Sequence, residues 1–175
     1  MKKKGDQEVN YIQLKEIDIA NGPGVRMSLW VSGCNIHCKG CHNPEAFDFN
    51  AGKKLDINSL IQISDLLKRD HIAGLSILGG EPLDNNIEEL EYILSFIKRF
   101  NQNKTIWLYT GHVITPYMLR HNTLFKYIDV VVDGPYIENK HFVDLRFRGS
   151  TNQRIINVKE SIKRFEIVLM DEYMS

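Results

Sequence analysis

Three short runs between Gly74 and Gly134, GLSILGG, TIWLYTG and YIDVVVDG, are apolar at nearly every position. Side chains alternate faces along a strand, so an unbroken apolar run must be buried on both sides. That requirement points to the central strands of a parallel sheet. Between the runs the period changes. Ile87, Leu90, Ile93, Leu94 and Ile97 draw one helical stripe, with Asp84 or Asn85 as the expected N-cap. Leu60, Ile61, Ser64 and Leu67 predict a helix over Ile57–Lys68 capped by Asn58. TPYMLRH starts a short helix with Pro116 in its first turn. Upstream, YIQLKEIDI (Tyr11 to Ile19) and VRMSLWVSG (Val25 to Gly33) read as strands around the turn-rich NGPG. The tail from Arg154 to Met170 reads as strand, turn and strand.

Strands alternating with amphipathic helices predict an α/β fold with right-handed crossovers. A closed (β/α)₈ barrel takes about 250 residues, more than the 175 here. The expectation is an open or partial (β/α) barrel with a mostly parallel sheet. A single domain over 1–175 is expected, with its core at about 11–170 and a flexible charged start over 1–10. Functional groups should gather at the C-terminal ends of the strands.

The charge balance excludes some partners. Lys plus Arg and Asp plus Glu both number 22, so no global field favours nucleic acid or membrane. MKKKGDQE lacks the apolar core of a signal peptide, and no apolar run approaches the ~20 residues that span a bilayer. A cytoplasmic protein is expected.

The cysteines sit together. Cys34-x₃-Cys38-x₂-Cys41 lies in SGCNIHCKGCHNPEAF, and the rest of the chain has no cysteine. Clustered cysteines without an export signal suggest a metal site rather than disulfides. Thiolates suit zinc or iron–sulfur iron. Zinc would need a fourth ligand, for which His37 or His42 is available, but zinc sites usually draw on two separated knuckles and no second knuckle exists. A four-iron cluster on three thiolates instead leaves one iron open to a ligand. GGEP (Gly79 to Pro82) then ends the strand GLSIL. Its glycines let backbone approach a ligand closely, and Glu81 offers a carboxylate to an ammonium. Alone, GGEP also reads as an ordinary turn.

The cysteine spacing and GGEP together resemble the radical S-adenosylmethionine (SAM) enzymes, although Gly40 stands where that superfamily commonly has an aromatic residue. More narrowly, DIANGPGVRMSLWVSGC, GCHNPEAF, LSILGGEPL, IWLYTGH, VVVDGPY and LRFRGSTNQRI resemble the anaerobic (class III) ribonucleoside-triphosphate reductase-activating proteins, in which glycine at position 40 is normal. The likeness runs from about Asp18 to Ile155. It implies a partial barrel of the radical SAM type holding a [4Fe-4S] cluster on Cys34, Cys38 and Cys41. It implies an activating enzyme that cleaves SAM reductively and leaves a glycyl radical on the partner reductase. Gly40, Cys41 and His42 would border SAM beside the cluster. Gly79, Gly80 and Glu81 would hold its methionine end, and Thr110 would lie near its adenosine. A reduced flavodoxin-like electron donor is implied, and a homodimer is left open. The alternatives are a small radical SAM enzyme acting on a metabolite, such as a 7-carboxy-7-deazaguanine synthase-like protein, a pyruvate formate-lyase-type activase, or a zinc-binding module without catalysis.

Other residues carry weaker signals. NGPGVR reads as a tight connection, with Arg26 also a candidate contact to the cluster region or a partner. Tyr109 and His112 share the strand end with Thr110, and Asp133 ends the next strand, where a ribose contact is one reading. Arg148, Ser150, Asn152 and Gln153 suit either a ligand contact or a local network. Trp30 and Trp107 read as core, and His71, His121 and His141 as surface.

Overall fold

The computed structural model describes residues 8–174. The charged start expected to be flexible lies outside these residues as far as Gln7. Val9, by contrast, is fully buried: its N–H donates to Glu89 at 2.9 Å and its carbonyl accepts from Leu55.

Seven strands form one sheet. In chain order they are β1 (Asn10–Asp18), β2 (Val25–Val31), β3 (Lys53–Lys54), β4 (Ile72–Gly79), β5 (Thr105–Thr110), β6 (Val130–Asp133) and β7 (Arg154–Asn157). Their spatial order is β3-β1-β2-β4-β5-β6-β7. The central run β2-β4-β5-β6 is parallel, as the doubly apolar strands predict. The edges are antiparallel: β1 pairs with β2 and β3, and β7 pairs with β6. The crossovers contain α1 (Ile57–Leu67), α2 (Ile87–Phe100) and α3 (Pro116–His121), and α4 (Val158–Arg164) follows β7.

The two faces of the sheet differ. Met27, Leu29, Val31, Leu75, Ile77, Ile106, Leu108, Val131 and Ile156 join Leu60, Ile63, Leu90 and Leu94 of the helices in the main core. Burial of this kind contributes about 25 cal/mol per Å² of apolar surface. The opposite face packs Trp107, Val130, Val132 and Ile155 against Phe147, Met170, Tyr173 and Met174. Helices therefore cover one face, and the other carries the tail and a large pocket.

Several local expectations shift. The cap of α1 is Asp56, whose carboxylate accepts from Ser59 N–H at 2.9 Å, rather than Asn58. The cap of α2 is Asn86. Asp84 closes a 3₁₀ turn, and the Asn85 amide is spent on the carbonyls of Ser32 and Glu81, so neither is free to cap. β6 is shorter than expected because Thr123–Tyr127 forms a 3₁₀ turn. The tail is not strand, turn and strand. Asn157 caps α4 by accepting from Glu160 N–H, and the return contributes only the bridge between Ile156 and Leu169. An Asn followed three residues later by Glu is a helix-start signal that the apolar count missed.

Candidate cluster and cofactor site

The site is built at the C-terminal ends of β2, β4 and β5. The cysteine loop leaves β2 and returns through a 3₁₀ turn at Pro44–Phe47. Its root is pinned by Gly33 N–H to Ala46 O at 2.8 Å and Cys34 N–H to Phe47 O at 3.2 Å. Within it, Cys41 N–H donates to Cys38 O, and Asn43 N–H reaches the Cys41 sulfur at 3.4 Å. Cys34 is buried, whereas Cys38 and Cys41 are half-buried. Burial pushes the Cys34 thiol up, and the N–H groups of His37 and Ile36 oppose that shift.

All three cysteines line one cavity of about 410 Å³, together with His42, Gly79, Gly80, Glu81 and Thr110. The fold thus brings together every one of these sequence-picked residues except Gly40, which sits on the loop's outer side. There an added Cβ would lie 2.9 Å from the Glu138 carboxyl, and Gly40 has φ +71°. Among the described residues, no three His, Cys, Asp or Glu side chains gather closely enough to hold one metal ion. A lone zinc needs ligands converging at about 2.0–2.3 Å from a point. Three thiols lining one cavity suit one sulfur per iron of a cluster.

The two glycines of GGEP, which line the cavity, have a second role that the sequence did not show. Space beside them is filled by protein backbone. A Cβ on Gly79 would lie 2.6 Å from Val31 O, and one on Gly80 would lie 2.4 Å from Gly33 O and 2.9 Å from Ala46 O. Gly80 N–H donates to Val31 O at 2.7 Å and Glu81 N–H to Gly33 O at 2.6 Å. The pair lets the end of β4 seat against the root of the cysteine loop.

Glu81 is only 1% exposed, and its partners are all neutral. Thr110 Oγ1 donates to it at 2.7 Å, Gly111 N–H at 2.6 Å and Leu83 N–H at 2.9 Å. Burial raises its pKa, and these donors pull it back. A buried carboxylate in such a setting favours a cationic ligand group beside it. Thr110 therefore serves Glu81 directly, and its Oγ1 also accepts from His112 N–H at 3.1 Å.

Several other picks resolve differently. Arg26 is fully buried at the N-terminal end of β2 and contacts neither the cysteine loop nor solvent. Its guanidinium donates to Ser76 Oγ, Thr105 Oγ1, Thr105 O and Leu75 O, and burial lowers its pKa to about 10. Asp133 is also structural: it accepts from Ile114 N–H and holds Arg154. Trp107 is core, but Trp30 is half-buried on the pocket wall, with Lys15 Nζ 5.0 Å from its ring centroid. His141, exposed as expected, also lines the pocket, and its ring lies 6.0 Å from that of His42. His37 lies against Phe47, with ring centroids 4.4 Å apart. The sequence reading missed Tyr136, whose ring is 4.8 Å from His42, and Asp84, which binds the loop at Asn35. A lone tyrosine and a lone aspartate carry no signal of their own.

The family described as a 4Fe-4S single cluster domain matches residues 20–156. An anaerobic ribonucleoside-triphosphate reductase-activating protein of Haemophilus influenzae is 38% identical over 154 residues, covering 86% of this chain and 99% of the relative. The protein of that name from Enterobacteria phage T4 is 35% identical over 148 residues, covering 84% of this chain and 93% of the relative. That of Escherichia coli K12 is 32% identical, covering 86% of this chain and all of the relative. On the cysteine-lined pocket, the family match and these near full-length similarities, the chain belongs to the anaerobic ribonucleoside-triphosphate reductase-activating protein family.

Proposed function

We propose that this protein is a radical SAM activase of anaerobic ribonucleoside-triphosphate reductase. One observation carries the reading. Three thiols share a cavity with a buried carboxylate whose partners are neutral, at the ends of three adjacent parallel strands. Cys34, Cys38 and Cys41 would hold a [4Fe-4S] cluster, and a fourth iron without a protein thiolate would be open to SAM. The cluster, when bound, supplies the single electron for reductive cleavage of SAM, and the outcome is a glycyl radical on the reductase.

The chain's own residues do the positioning. Glu81 gives the cavity a negative charge that favours the cationic end of SAM, while Thr110 and Gly111 N–H hold that carboxylate in place. Gly79 and Gly80 fix the distance between β4 and the cysteine loop. His42 and Tyr136 wall the side next to Cys41. With helices on one face of the sheet only, the architecture suits a partial barrel of the radical SAM type. Its open side suits a large partner presenting a glycine segment. A reduced flavodoxin-like protein would supply the electron, and the setting is the cytoplasm. None of the described helices is long and apolar enough to cross a membrane.

The test is electron paramagnetic resonance on the reconstituted protein with SAM, a reductant and the anaerobic reductase. A glycyl-radical doublet on the reductase is expected. SAM cleavage without any radical on the reductase would favour a metabolite substrate, and colourless protein holding one zinc would sink the activase reading.

A further inference from the structure

The Arg148–Gln153 segment, RGSTNQ, brings Arg148, Gly149 and Gln153 to the wall of the cysteine-lined cavity and makes a dense set of bonds. Gln153 Oε1 accepts from Gly149 N–H at 2.7 Å and Ser150 N–H at 3.2 Å, and its Nε2 donates to Gly134 O at 2.9 Å. Asn152 Nδ2 donates to Pro135 O at 2.8 Å. The fully buried Ser150 accepts from Ile137 N–H at its hydroxyl, and Thr151 N–H donates to Lys140 O at 2.9 Å. These bonds run to main chain and fix the path of the loop from Gly134 to His141. Three side chains of that loop face the cysteine loop, His141 among them with its ring 6.0 Å from that of His42. Glu138 meets Gly40, and the Tyr136 ring lies 4.8 Å from His42, so the contacts flank Cys41 on both sides. Gly149 completes the fit: an added Cβ would stand 3.1 Å from Cδ2 of Tyr136, so the ring rests close to a bare α-carbon.

We infer that Gln153 is a positioning residue which, through this loop, sets Tyr136 against His42 and closes the pocket beside Cys41. A side chain that spends its amide on the start of that loop and on Gly149 and Ser150 of its own segment fixes geometry far better than scattered surface contacts. The role as a wall beside bound iron rests on the activase reading, but the placement of Tyr136 does not.

The experiment has one arm in each state. In the iron-free protein, nuclear magnetic resonance follows the His42 imidazole. Tyr136→Ala should move its resonances by removing the neighbouring ring current, and Tyr136→Phe should leave them near the wild-type position. Gln153→Leu should move them as Tyr136→Ala does. Gln153→Glu, which keeps the acceptor for Gly149 and Ser150, should restore part of the difference. In the reconstituted protein, iron loss to a ferrous chelator should quicken several-fold in Tyr136→Ala and Gln153→Leu. Unmoved His42 resonances in folded Gln153→Leu would overturn the inference. If that variant does not fold, wild-type iron loss from Tyr136→Ala overturns it instead. Wild-type protein that takes up no iron would count against the activase reading, and the His42 arm would still decide the role of Gln153.

Discussion

The carboxylate of Asp84 accepts the backbone N–H of Asn35 at 2.7 Å, tying the turn after GGEP to the residue that follows Cys34. Its other oxygen meets His112 Nε2 at 2.9 Å. One side chain thus joins the cysteine loop to the loops after β4 and β5. The hydrogen bond from this exposed amide is worth about 0.5–1.5 kcal/mol. Asp84→Ala should lower the unfolding free energy of the iron-free protein by about that much, read by urea denaturation. Asp84→Asn, which keeps an acceptor, should cost less. An Asp84→Ala midpoint equal to wild type would refute the clamp.

Each cysteine is expected to be necessary. Cys34→Ala, Cys38→Ala and Cys41→Ala should each fail to reach about four irons per chain after anaerobic reconstitution, since each thiolate serves its own iron. Iron and sulfide analysis checks this. A full complement in any of the three removes that residue from the ligand set.

Glu81 should leave a signature in pH. Its folded pKa is raised by burial, so the folded state takes up a proton before the unfolded chain does. Stability contributed at this site therefore rises as pH falls from the raised folded value toward the ordinary glutamate range. Glu81→Gln cannot titrate. The stability of wild type relative to Glu81→Gln should increase over that acidic window and stay level above it, measured by denaturation at several pH values. A flat difference would mean that the carboxylate is not desolvated.

Gly80→Ala should destabilise by about 1–3 kcal/mol, as overpacking does. The atoms its Cβ would meet are the carbonyls of Gly33 and Ala46, which cannot swing aside as a side chain can. Gly40→Ala meets only the movable Glu138 carboxyl but keeps a left-handed φ of +71°, for a cost of about 1–2 kcal/mol. Thermal unfolding of the iron-free variants measures both.

Arg26→Lys should lose about 1–3 kcal/mol without changing iron uptake. A planar guanidinium reaches Ser76, Leu75 and both oxygens of Thr105, whereas one ammonium cannot span them. Impaired iron binding in a folded Arg26→Lys protein would place this residue nearer the site than the fold does.

What the sequence determined by itself was whatever depends on local period or short spacing. Doubly apolar runs give the parallel centre of the sheet because alternating side chains must both be buried. The stripe from Ile87 gives α2, and three thiols within eight residues give the cluster loop. GGEP at the end of β4 also belongs here, because a strand end and a turn are local events. Even so, the sequence could not say that Gly79 and Gly80, besides lining the cavity, seat against backbone, since Val31, Gly33 and Ala46 come from a distant stretch of chain. Only the tertiary structure put Arg26 in the interior, turned Glu81 toward Thr110, and laid Tyr136 against His42. Those relations join residues 29 to 94 positions apart, including Tyr136 and His42 from β6 and β2 loops. The last two arise from crossover packing, which brings the C-terminal ends of successive parallel strands to one edge of the sheet, while Arg26 is enclosed near the strands' opposite ends.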